Sequence, residues 1–296
     1  MSRLTVDPYD ITARSNGLRR RRIVEKLFGV LAIASATLAS GILLVVLATL
    51  VVKGASELSV DFFTKPRPLF GEQGGIADAL IGSALIVGMA MLMAIPVAVL
   101  VAIYISEYAG PKLARGLKIV LDVLNGVPAI VVGIFVFGVL VVGSGQSAIF
   151  GAFALAILML PMVARATQEI LEVVPRSLRD ASFALGVTKW RTTWNVVLPA
   201  AIGGILTGVV IAVARVAGET APLLFTTSIA ASVISTNVSE ALPTLPVTIF
   251  IFSESPDPGE QAAAWAAALV LIAFVLVMNV LAKVFAARKR KQLEGS

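Results

Sequence analysis

Six stretches of the chain are each apolar over roughly the 20 residues that an α-helix needs to cross about 30 Å of hydrocarbon. They cover residues 28–52, 76–105, 119–142, 148–164, 201–225 and 262–282. Lipid offers the backbone no water to bond, so each stretch is expected to fold as a helix that closes its own hydrogen bonds. With 58% hydrophobic and 14% charged residues over 296 positions, the chain is too apolar and too poor in charge for a soluble domain. The expected fold is an all-α integral membrane protein with six transmembrane helices. Pro96 in the second stretch, and Gly126 with Pro128 in the third, predict kinks. The first stretch is too long for the apolar region of a signal peptide and is read as a helix of the mature protein.

The basic residues orient this bundle. Arg3, Arg14, Arg19, Arg20, Arg21, Arg22 and Lys26 precede the first stretch, and Lys283, Arg288, Lys289, Arg290 and Lys291 follow the last. Lys112, Arg115 and Lys118 lie between the second and third, and Arg165, Arg176, Arg179, Lys189 and Arg191 between the fourth and fifth. The opposite side has only Lys53, Lys65 and Arg67, and residues 216–282 contain no Lys or Arg. The positive-inside rule then makes both termini cytoplasmic. The organisation expected is a basic segment 1–27, a six-helix domain 28–282 with a cytoplasmic loop 165–199, and a basic tail 283–296. Attraction of these cations to anionic lipid headgroups accounts for the net charge of +6, so no nucleic-acid partner is expected.

The chain has neither cysteine nor histidine, which excludes disulfides and thiolate metal sites and removes the usual catalytic bases and metal ligands. Asp180 has no evident catalytic neighbour, so a membrane enzyme fits worst among the function classes. No G-x-x-x-x-G-K-[ST] loop is present either. No catalytic residue, metal or bound cofactor is expected on this chain.

Arg215 and Glu219 interrupt the fifth stretch. A charge in hydrocarbon is costly unless it faces protein, water or a partner. Entering from residue 201 at about 1.5 Å per residue, Arg215 stands roughly 21 Å along the helix, past the midpoint. Glu219 follows one turn later on the same face and can pair with it across i,i+4. Three readings stay open: a pathway site, with Thr220 offering a hydroxyl; an ion pair that locks two spans or holds a partner; or a different register, in which one of the two side chains reaches the headgroups. Gly204 and Gly208 are spaced for close helix packing, and Gly218 thins the helix beside Glu219; the alternative is a bending point at Gly218 and Pro222, if an outer gate moves there. Asp78, Glu107 and Asp122 fall near membrane ends, where interface placement is ordinary, and Asn125, beside Gly126 and Pro128, is expected to repair a kink or to bond a neighbouring helix. The acidic outer segment 226–261 has an apolar middle, 245–252, too short to cross.

In the loop 165–199, Pro175 can open a short helix over 177–185 with Gly186 as its C-terminal cap. Leu178, Ala181, Ser182 and Leu185 lie on or near one face, with Arg179 and Asp180 displaced from it. Such a helix can dock into a cytosolic partner and transmit a push, or lie on the membrane with Trp190 and Trp194 as anchors.

Asp180-Ala181, then Gly186, then Leu198-Pro199 resemble the EAA signature of permease subunits in ATP-binding-cassette importers. Asp180 stands where Glu is usual and Ser182 where the second Ala is usual. The run 198–225, with Arg215 and Gly218-Glu219-Thr220-Ala221-Pro222, resembles the membrane subunits of phosphate importers, and the similarity covers roughly residues 76–279. That resemblance implies the type I (MetI-like) importer arrangement, with Ser177, Leu178, Arg179, Asp180, Ala181, Ser182, Leu185 and Gly186 in the cytoplasmic coupling helix. It implies inorganic phosphate as cargo, a related six-helix permease subunit, two cytoplasmic ATPase subunits that carry ATP and Mg, and an external phosphate-binding protein. A bacterial or archaeal plasma membrane is implied too. Arginine's forked donors suit phosphate oxygens, and Glu219 would compete with the anion so that binding stays weak. Sulfate or molybdate importers and an autonomous anion carrier are the alternatives.

Overall fold

The apolar runs become helices, and no strand forms among the described residues of the computed structural model. The structure describes residues 15–67, 74–228 and 230–294, with side chains from 21 to 284 in those ranges. Arg3 and Arg14 lie outside the described residues, and the side chains of Arg19, Arg20, Arg288, Lys289, Arg290 and Lys291 lie outside those described. The elements are α1 (Ser15–Gly54), α2 (Val60–Thr64), α3 (Ala77–Ile103), α4 (Pro111–Asn125), α5 (Ala129–Val136), α6 (Ala148–Val173), α7 (Arg176–Ala184), α8 (Lys189–Thr192), α9 (Leu198–Val216), α10 (Ala221–Thr226), α11 (Leu245–Ser253) and α12 (Pro258–Glu294). π-helical turns extend α3 through Tyr104–Tyr108 and α5 through Phe137–Val141, and a third, Thr193–Val197, joins α8 to α9.

The chain divides into two compact units, Met1–Val52 and Lys53–Ser296. The first is described as the greater part of the single helix α1. Five helical runs are long and apolar enough to cross a membrane, and a bent pair makes the count six if it is one span.

That bent pair lies where Gly126 and Pro128 predict a kink in the third stretch, and the bend is sharp enough to divide it into two helices. α4 ends at Asn125, and the run Ala129–Val141 leaves at 89° to it. Pro128 supplies no N–H and biases the preceding residue away from helix, and Gly126 adds backbone freedom, so the continuous apolar pattern is cut in two. α4 is amphipathic. It buries Leu121 and sends Lys118 and Asp122 to α6, where Lys118 Nζ meets Glu172 Oε1 at 2.5 Å and Arg165 Nε lies 3.5 Å from Asp122. The Asn125 amide donates to the Pro161 carbonyl of α6 at 3.4 Å, the bond to a neighbouring helix that its position predicts.

α3 and α6 form the centre of the second unit. Ala90, Ala94, Ala98 and Ala102 recur every four residues down α3 and are at most 1% exposed. Small side chains at that spacing let two backbones approach closely, and in lipid dispersion contact replaces the hydrophobic effect as the cohesive force. Ala152, Leu155, Met159 and Val163 of α6 are buried in the same core. α9 packs on α6 through its glycines: a Cβ on Gly204 would sit 2.7 Å from Ile170, and one on Gly208 2.7 Å from Ala166. The G-x-x-x-G pair is therefore a packing face, as its spacing suggests.

At one end of α3 and α6 lie residues 226–228, residues 230–244 and α11. The backbone N–H groups of Ser147, Ala148 and Ile149 donate to the carbonyls of Thr226, Glu240 and Val238, and Gly82 of α3 faces the Pro243 carbonyl so closely that a Cβ would stand 2.0 Å from it. At the other end, α4, α7 and the ends of α3 and α6 converge through ion pairs. α3 and α6 thus run parallel, and both basic loops read from the sequence meet at the same end.

Candidate translocation and coupling sites

The helix that carries Arg215 stops sooner than its apolar pattern implies. α9 ends at Val216, residues 217–220 form a break, and α10 starts at Ala221. Pro222 cannot donate to the carbonyl four residues back and its ring clashes there, and Gly218 adds backbone freedom, so the turn cannot continue. The expectation that Arg215 and Glu219 stack one turn apart on one helix is corrected accordingly. Glu219 lies in the break, and among the described residues no ion pair joins the two. The helical run also begins earlier than residue 201, at Lys189, which puts Arg215 in the last turn of the crossing run Lys189–Val216. A cation there is favoured by the carbonyl end of the helix dipole.

Arg215 is exposed and its side chain has no partner among the described residues. On the helical wheel it lies near Ile211, about half exposed, and away from the buried Val209 and Val213. Glu219 and Thr220 are half-buried beside it in sequence. Behind the break, α10 is wedged against α5 and α6: a Cβ on Gly133 would lie 2.7 Å from Pro222 Cα, and Gly151 faces Leu223 and Thr227. Thr207 bonds back to the Gly203 carbonyl at 2.9 Å, as its helical position predicts.

The short helix of the polar loop is α7, one residue out of register with the expected 177–185. Gly186 has φ +75°, a backbone region that costs a Cβ-bearing residue energy. Its N–H donates to Phe183 O and that of Val187 to Ser182 O, so two carbonyls that α7 leaves open are satisfied. Ser177, Leu178, Asp180, Ala181, Ala184 and Leu185 are exposed, and Leu185 is 83% so. Ser182 departs from the expected shared face. It is buried, with its hydroxyl 2.9 Å from that of Thr192 on α8, because one residue's turn beyond Ala181 brings it round toward the bundle.

Arg179 points the same way. Its guanidinium holds the Glu107 carboxylate with Nη2 at 2.7 Å and Nε at 3.2 Å from Oε1. It also donates to the carbonyls of Val174 at 2.7 Å and Leu171 at 2.9 Å. Trp190 and Trp194 form a tilted ring pair at 5.2 Å, and Lys189 lies over the Tyr108 ring at 5.1 Å.

Residues 94–291 match the family described as the binding-protein-dependent transport system inner membrane component. The chain belongs to that family. Among relatives of this inner membrane component, the phosphate transport system permease protein PstA of Haemophilus influenzae is 40% identical over 247 residues, covering 83% of this chain and 87% of that protein. PstA of Yersinia pestis is 40% identical over 265 residues, covering 88% and 90%. A chain of the MetNI methionine ABC transporter in inward-facing form shares the fold, with a TM-score of 0.54 at 17% identity, over 73% of this chain and 94% of that one.

Two charged contacts of this inner membrane component escaped the reading of its sequence. Glu107 belongs to the clamp on Arg179, 72 positions away, and Asp78 to a buried pair with Arg67. Arg67 Nε meets Asp78 Oδ2 at 2.8 Å, with side-chain exposures of 8% and 0%, and Arg67 Nη2 also reaches the carbonyl of Ala230 at 3.3 Å. Neither partner is marked by local spacing. The alternation of basic loops places Glu107 and Arg179 at one end, which was the available hint.

Proposed function

We propose that this chain is a transmembrane subunit of an ATP-driven phosphate importer, forming half of the anion pathway. The observation that carries the pathway assignment is Arg215, a cation near the end of a crossing helix, exposed and without a partner among the described residues. Such a charge needs a counterpart from outside the chain: water, an anion, or a second subunit. A related six-helix permease subunit facing Ile211 and Arg215 would turn that exposed end of α9 into a wall of a passage. Arg215 then gives a small oxyanion its foothold, with Glu219 and Thr220 in the break as competitor and hydroxyl donor. Phosphate as cargo is supported by 40% identity to two proteins of that name.

Two cytoplasmic ATPase subunits, carrying ATP and Mg, would dock on the exposed side of α7, and an external phosphate-binding protein would deliver the anion past an outer loop containing Glu240, Glu254, Asp257 and Glu260. Both termini would then be cytoplasmic, in a bacterial or archaeal plasma membrane. The deciding measurement is radiolabelled uptake in cells that lack this subunit and are complemented with it. Phosphate should be accumulated and should resist competition by excess sulfate or phosphonate; uptake suppressed by sulfate would reassign the cargo.

Ala181 tests the docking side. Ala181→Lys puts a long cation on a small exposed position without touching the bundle. Copurification of the ATPase should fall at least about tenfold, since one unpaired charge trapped in an interface costs more than 1.4 kcal/mol. Undiminished copurification with normal import would remove α7 as the docking helix.

A further inference from the structure

We propose that Arg179 is the positioning residue that ties α7 to the ends of α3 and α6, so that displacement of α7 is passed to both spans at once. This rests on the reading of α7 as the helix on which the ATPase docks.

The geometry has three parts. Pro175 has no N–H, so the Leu171 carbonyl at the end of α6 has no helical donor four residues on, and the Val174 carbonyl lies beyond the last turn. Arg179 Nη2 and Nη1 take up those two oxygens at 2.9 and 2.7 Å. The same guanidinium grips Glu107, which stands in the π-helical turn Tyr104–Tyr108 that ends the α3 run. π turns interrupt a regular helix and are frequent where function needs an adjustable joint.

With side-chain exposures of 17% for Arg179 and 8% for Glu107, this forked pair is largely screened from water, and its charge-assisted bonds are correspondingly strong. Ser182 and Thr192 add a second buried tether, from α7 to α8. Arg179 therefore joins three elements through one planar group, while Leu178, Asp180, Ala181 and Leu185 remain exposed for docking. Clamp and docking side are separate parts of one helix, and a change in the first leaves the second intact.

The test uses the complete importer, permease pair with ATPases, in vesicles with its binding protein and inorganic phosphate. In Arg179→Ala the ATPase should copurify as before and hydrolyse ATP, while phosphate moved per ATP falls at least about tenfold. Arg179→Lys, which keeps the charge and loses the fork, should recover only part of that ratio. Should Arg179→Ala not assemble, Glu107→Gln carries the same test with a near-isosteric side chain. An unchanged ratio in the assembled variant, or loss of the ATPase from it, overturns the proposal. A readout that does not depend on the cargo comes from the absence of native cysteine. A maleimide label on Ala84→Cys, an exposed position in α3, should react at a rate that ATP changes, and Arg179→Ala should abolish that change. Persistence of the ATP effect in Arg179→Ala overturns the clamp. An ATP effect in the otherwise native chain without phosphate uptake overturns the cargo assignment and leaves the clamp standing.

Discussion

Arg215→Glu is expected to lower phosphate uptake at least about a hundredfold while the subunit still assembles with its partners. Two unit charges roughly 5 Å apart at an effective dielectric of about 20 interact by roughly 3 kcal/mol, and reversing one sign turns attraction into repulsion. Even half of that swing exceeds the roughly 2.7 kcal/mol that a hundredfold rate loss represents. Folding should tolerate the change, because the side chain is exposed and has no hydrogen-bond or ion-pair partner among the described residues. Uptake and copurification of the complex are measured on the same membranes. Exchanging the pair, Arg215→Glu with Glu219→Arg, should not restore transport: it moves the cation out of the helix into the break, whereas a mere lock between two charges would survive the swap. Normal uptake in Arg215→Glu would remove the site.

The second large effect is on stability. Arg67→Ala strands the Asp78 carboxylate, whose side chain is fully buried at the start of α3, without the cation that meets it at 2.8 Å. A buried charge left alone costs about 3–5 kcal/mol. Arg67 also holds the Ala230 carbonyl, so the segment after α10 loosens with it. Thermal unfolding of the detergent-purified complex should shift down by several degrees or more in Arg67→Ala. Replacing both partners, Arg67→Met with Asp78→Leu, should recover most of the loss, because a well-packed apolar pair avoids the desolvation penalty. An unshifted transition in Arg67→Ala would mean that water reaches Asp78.

The short helix α7 was legible because its signals are local. Pro175 and Gly186 act on their own backbone, and the exposed Leu178, Ala181 and Leu185 follow from helical spacing. In the third and fifth spans the place of the break was legible and its size was not. Gly126 with Pro128, and Gly218 with Pro222, mark the positions through their own backbone chemistry, whereas the 89° turn after α4 and the end of α9 at Val216 depend on how the flanking helices pack. Ser182 was placed with its neighbours by spacing alone, and the hydroxyl of Thr192 turns it inward.

Taken alone, the amino-acid order determined that this chain lives in lipid, which loops share a side, where the short helix α7 lies and which cation stands in an apolar span. These properties depend on transfer free energy, charge bias and backbone chemistry, each a sum over nearby residues. Only the tertiary structure decided that Glu107 meets Arg179, that Asp78 meets Arg67, that α9 stops before Glu219, and that Arg215 faces out of its own chain. Pairings across many residues depend on how helices cross. Packing of small side chains such as Ala90, Ala94 and Ala98 sets those crossings, and no charge advertises its distant partner along the chain.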